Sequence, residues 1–117
     1  MTRKITKAGN VYLYAVIPGT AENELGISGL FDSVVHTISE GGIAAVVSEF
    51  PASEKLRPER KHLAATQRVL NYLVETNDVV LPVSFGTVAD SEKGIREMLK
   101  KYGKDFHREI ARVSGKV

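Results

Sequence analysis

The stretch VVHTISEGGIAAVVSEF, residues 34–50, decides the fold. Val34, His36, Ile38 and Glu40 alternate with Val35, Thr37 and Ser39, which is the period of a strand. Gly41-Gly42 follows, and Ile43–Phe50 is a second strand-length run closed by Pro51. Two such runs joined by two glycines predict a tight hairpin, because glycine takes positive φ cheaply at both turn positions. Upstream, Val11–Ile17 (VYLYAVI) is β-branched, aromatic or otherwise apolar throughout and stops at Pro18-Gly19. It has no polar face, so it reads as a central strand buried on both sides. Residues 19–33, with three glycines and acids between them, read as loop with room for one helical turn.

Downstream the period changes. Pro58 suits the first turn of a helix and Glu59 suits its positive end. His62, Leu63, Thr66, Val69, Leu70 and Leu73 recur at three- and four-residue steps. They predict a helix over Pro58–Thr76, with Asn77 as a left-handed stop. Val79–Phe85 (VVLPVSF) is a further apolar run. Pro82 cannot donate to a ladder, so this strand belongs at an edge or carries a bulge. Asp90 or Ser91 can cap a last helix. Its apolar residues Ile95, Met98, Leu99, Tyr102, Phe106, Ile110 and Val113 form one stripe. From Ser91 to Ser114 it would be roughly 36 Å long. Either Gly103 kinks or splits it, or its end projects past the sheet; projection is the reading preferred here, since one helical glycine costs only about 1 kcal/mol. The order is β-β-β-α-β-α. The class is α+β: a four-stranded mixed or antiparallel sheet with two main helices packed on it, in a single domain over 1–117.

With 117 residues, 43% hydrophobic and 26% charged, the chain has ordinary globular usage and can bury a core unaided. It has no cysteine, which excludes disulfides, thiolate metal sites and a cysteine nucleophile. The net charge of +2 is too balanced to indicate nucleic acid. It is unevenly spread: residues 1–50 carry 3 basic and 5 acidic groups, residues 91–117 carry 8 and 4. A solvated helix face explains the basic end more simply than an acidic partner does. Met1–Asn10 lacks the apolar stretch of a signal peptide, and the apolar runs are too short to span a membrane. A cytoplasmic protein is expected, with no membrane and no nucleic-acid partner.

The sequence carries few catalytic signatures. His36, His62 and His107 have no second histidine at ligand spacing. His36 reads as half-buried on a strand face, and His62 and His107 as solvent-exposed. No phosphate-binding glycine loop and no serine elbow occur, and Ser48 and Ser84 have no histidine beside them in sequence. Lys55, Arg57, Arg60 and Lys61 open the first helix, and Lys100, Lys101, Lys104, Arg108 and Arg112 lie on the last. Tyr12 and Tyr14 alternate on one strand and offer a stacking pair, although packing on the sheet is the plainer role. No catalytic, cofactor or metal residue is assigned. The string Leu81-Pro-Val-Ser-Phe-Gly-Thr87 stands out, because a proline-blunted edge beside an aromatic residue fits protein contact.

That string is similar to one in the gas vesicle protein GvpL/GvpF family. The family's first strand carries a Y-x-Y pattern, here Tyr12-Leu-Tyr14-Ala-Val16. Its glycine turn leads into a small-residue strand, here Gly42-Ile-Ala-Ala-Val-Val-Ser48. Its "vLPlrFGT" string corresponds to Val80-Leu-Pro-Val-Ser-Phe-Gly-Thr87, and its long helix ends near a glycine, here Gly115. The likeness covers about Val11 to Val117. It departs at Ser84, where the family often has a basic residue, and at Thr66, where it often has a histidine. The resemblance implies a non-enzymatic structural or assembly protein of gas vesicles, partnered by other vesicle proteins including the main shell protein, with a second domain after Val117. The candidate interface residues, read from the proline-blunted edge and the end of the apolar stripe, are Leu81, Pro82, Ser84, Phe85, Gly86 and Thr87, joined by Phe106, Ile110 and Val113. A small ligand- or nucleotide-binding regulatory domain is the alternative.

Overall fold

The computed structural model describes residues 9–51 and 56–113. Along the chain the elements are β1 (Gly9–Pro18), β2 (Glu24–Ser28), a single 3-10 turn (Leu30–Asp32), β3 (Val34–Glu40), β4 (Ile43–Pro51), α1 (Arg60–Thr76), β5 (Leu81–Pro82), β6 (Val88–Ala89), α2 (Glu92–Lys101) and α3 (Gly103–Val113). The glycine pair makes the predicted hairpin: Gly41 and Gly42 have φ of 62° and 88°, and His36 pairs with Val47 as Glu40 pairs with Ile43.

The class is α+β, as expected, but among the described residues the sheet has six strands, ordered β2-β3-β4-β1-β5 with β6 also on β1. Every pairing is antiparallel. Because β4 and β5 both flank β1, they run parallel to each other, and α1 is the crossover between them. The expected loop at 19–33 holds β2, whose Leu25 and Ile27 pack inward between exposed Glu24, Gly26 and Ser28. The expected strand at 79–85 is reduced to Leu81–Pro82, where proline donates no hydrogen bond to the ladder; after Val83 bonds Tyr14 the chain leaves β1 and returns at β6.

Both sheet faces are covered, so β1 is buried along its whole apolar run. On one face Tyr12, Tyr14, Ala15, Ile17, Val35 and Val46 meet Ala65, Val69 and Leu73 of α1. On the other, Val11, Leu13, Val16, Ile38 and Ala45 meet Ile95 and Leu99 of α2. Tyr14 and Ala15 are consecutive yet share a face. The pairing slips there, from Leu13 opposite Val47 to Ala15 opposite Val46, which makes Tyr14 the extra residue of a β-bulge.

The helices depart from expectation in four respects. Asn77 closes α1 in extended backbone, φ −134°, not left-handed, and its amide hydrogen-bonds the Leu73 carbonyl. His62 is buried rather than exposed: Nδ1–H donates to the Arg57 carbonyl at 2.9 Å and the ring lies 5.1 Å from that of Phe31. Burial follows from its place one turn before Ala65 on the inward stripe. The last helix splits at Tyr102, whose ψ is 14°, so α3 bends back over β1 and β4 instead of running straight out. There Phe106 and Ile110 are half-buried and His107 Nε2 lies 2.8 Å from the Gly41 carbonyl oxygen. At the break Tyr102 is 43% exposed, not packed inward, and the Lys101 ammonium sits 5.3 Å from its ring centroid. The Ser91 cap forms as read, accepting from Gly94 N–H at 3.1 Å. Lys55 and Ser114–Val117 lie outside the described residues.

Candidate functional site

The free side of β1 is where the singled-out string lies. A strand edge presents N–H and C=O groups that must find partners. Here they find them raggedly. Leu81 pairs with Val16 and Pro82 with Ala15, and then Val83 N–H donates to the Tyr14 carbonyl at 3.2 Å. Residues 84–87 leave the ladder in a turn closed by the Thr87 hydroxyl, which donates to the Ser84 carbonyl at 2.8 Å. The Tyr12 hydroxyl accepts from Gly86 N–H at 3.1 Å, and the Thr87 carbonyl accepts from Leu13 N–H at 2.9 Å. Val88 and Ala89 then rejoin β1 opposite Tyr12 and Val11. The result is a tongue pinned at both ends, with Pro82, Ser84, Gly86 and Val88 exposed along it.

Inward-facing groups alternate with these. Leu81 and Val83 border the α2-side core, while Phe85 borders the α1-side core, its ring centroid 6.1 Å from that of Tyr12. Phe85 is thus half-buried: it anchors the tongue and still reaches the surface. Phe106 and Ile110 border the α2-side core with Leu81, and Val113 is 51% exposed at the end of α3. The nine suggested residues therefore form two groups on opposite faces, Phe85 on one and the α3 residues on the other. Sequence reading missed Val88, which is 41% exposed on the same edge, and the pin supplied by the Tyr12 hydroxyl.

The tyrosine pair is not a stacking platform. Both rings are buried, edge to face at 4.8 Å, because α1 covers that side of β1. The Tyr14 hydroxyl shares a 2.7 Å hydrogen bond with Ser48 Oγ and accepts from Leu30 N–H at 2.9 Å. Burial pushes both phenols above their ordinary pKa. Ser48 is therefore joined to a phenol, and Ser84 is exposed on the tongue. The Thr66 hydroxyl donates to the Leu63 carbonyl of its own helix. Among the described residues no group of three or more histidines and carboxylates is arranged to hold a metal. A cavity of about 380 Å³ opens between the end of α1 and the β1–β2 link, bordered by Ile17, Leu25, Ala44, Tyr72 and Leu73, with no charged side chain among the described residues at its walls.

The gas vesicle synthesis protein GvpL/GvpF family matches residues 10–117. The chain belongs to that family. Two solved structures are similar in fold. The gas vesicle protein GvpF from Microcystis aeruginosa superposes with a TM-score of 0.76 at 24% identity over 91% of this chain. GvpF from Anabaena sp. PCC7120 does so with 0.77 at 22% identity over 92%. In each case the match takes up 44% of the solved chain, so this chain spans less than half the length of those relatives. No curated protein matches closely enough to be counted a relative. No described helix is long and apolar enough to cross a membrane.

Proposed function

We propose that this GvpL/GvpF domain takes part in building the gas vesicle by docking onto other vesicle proteins, the main shell protein first among them, and that it transforms no substrate. The observation that carries the reading is the Pro82–Val88 tongue. It is a sheet edge left irregular by proline, pinned by backbone hydrogen bonds, and presenting Val88 and part of Phe85 outward. Such an edge resists open-ended strand addition yet offers an apolar anchor for one partner. A wall that encloses gas needs an apolar inner surface, so its subunits expose aggregation-prone surface before assembly, and a helper with a hydrophobic anchor suits that stage. The reading places the protein in the cytoplasm, at the vesicle. In the solved relatives the matched region is accompanied by further chain, which supports a second domain working beside this one.

Pull-down of the main shell protein tests it. The wild-type chain is expected to retain the shell protein. Pro82→Lys and Phe85→Ala are each expected to reduce retention while the far-UV spectrum stays native. Undiminished retention by both folded variants would retire the tongue as the docking surface.

A further inference from the structure

On the face covered by α2 and α3, the helices stop short of the far edge of the sheet. The core there takes Ile38 from β3 but no residue from β2, and Val34, two positions before His36 on the same face, is left 46% exposed. The gap is an open groove of about 670 Å³ alongside α2, with Val34, His36 and Ile38 on its floor. Carboxylates rim it: Glu22, Glu24, Asp32, Glu49 and Glu92, with no lysine or arginine among the described residues at its walls. Arg96 neutralises two of these, reaching Glu22 at 2.7 Å and Glu92 at 2.6 Å from the α2 side. Glu24, Asp32 and Glu49 make no ion pair among the described residues.

We infer that this uncovered sheet face is a second docking surface, and that its occupant is a basic amphipathic helix of a partner polypeptide, laid beside α2 as the next member of the same layer. The floor is a sheet face, not an edge, so a helix fits it where an added strand would not. The occupant needs a narrow apolar strip to sit on Val34 and His36. It needs lysine or arginine on both flanks, because the free carboxylates lie on both sides: Glu24 on β2 and Glu49 on β4. Charge matching of this kind speeds encounter and sets orientation, while the apolar strip holds the complex. The surface lies at the opposite edge of the sheet from the Pro82–Val88 tongue, so this inference stands whether or not the tongue binds the shell protein.

The test uses a short, labelled leucine–lysine amphipathic helix as the probe, followed by fluorescence anisotropy at low and high salt. Two control peptides accompany it: one with glutamate for every lysine, and one of identical composition scrambled to remove the apolar strip. Saturable binding of the probe alone, weakened by salt, is the expected result. Glu24→Gln combined with Glu49→Gln, and separately Val34→Asp, are each expected to weaken it by about tenfold or more. All three side chains are exposed, so both variants should keep wild-type melting curves. Failure of the probe to bind, equal binding of the scrambled peptide, or indifference to both variants overturns the inference. So does sedimentation as a dimer that Val34→Asp returns to monomer, since the groove is then closed by a second copy of this chain.

Discussion

The Tyr14 hydroxyl joins three segments that are distant in sequence: the β1 bulge, Ser48 of β4 and the Leu30 N–H of the 3-10 turn. Gly29 lies so close that an added Cβ would fall on the Tyr14 hydroxyl, so the turn approaches the sheet only because that residue has no side chain. Tyr14→Phe keeps the ring but strands a buried N–H and a buried hydroxyl. It is expected to cost about 1–3 kcal/mol. Urea denaturation checks this, with the midpoint falling and the slope unchanged. Glu22 permits a pH prediction. Its hydrogen bonds to the Arg96 guanidinium, and then to Ser39 N–H, hold its carboxyl at about 2 against an ordinary 4.5. The folded value lies below the unfolded one. The stabilisation is therefore complete above about pH 4.5 and is lost as pH falls toward 2. Glu22→Gln should lower stability modestly at neutral pH, since the pair is at the surface, and should flatten the decline across that window. A series of urea midpoints against pH reads it; an unchanged decline would count against the Arg96 contact. None of these contacts was read from the sequence. Glu22 is 74 residues from Arg96, and nothing local announces such a partner.

At the scale of elements, the strongly patterned segments were legible. The hairpin, the buried β1, the span of α1 to within two residues of its start, and the Ser91 cap all follow from local chemistry. What escaped was decided by packing. In β2 the alternation of Leu25 and Ile27 is broken up by Gly26 and flanked by acids, so the segment resembles loop until β3 supplies its ladder. The last helix has one unbroken apolar stripe, and its propensities favour continuity. It bends at Tyr102 because Phe106 and Ile110 gain more by covering the sheet than by extending into water. His62 was misplaced because its charged neighbours in sequence lie on other sides of α1. The break gives a further prediction. A Cβ on Gly103 meets nothing within 4 Å, and its backbone is not left-handed. Gly103→Ala should therefore raise stability by about 0.5–1 kcal/mol and increase helical ellipticity. A lower melting temperature would show that the joint requires glycine.

On the scale of the whole molecule, the fold leaves two unlike borders. One edge of the sheet ends in β2 and the acidic groove; the other ends in the proline-blunted tongue. The order and spacing of the strings around Tyr12, Gly42 and Phe85 made the GvpL/GvpF family legible in the sequence. The interface residues were less so, because which of them shared a face depended on the bend into α3 and on the turn that carries Phe85 across β1. Amide hydrogen exchange of this chain, with and without the main shell protein, is the most direct test of docking through the tongue. Added protection is expected in residues 83–88, with the helical amides of α1 unchanged. Protection confined to α1, or found elsewhere in the molecule with residues 83–88 unaffected, would contradict docking through the tongue.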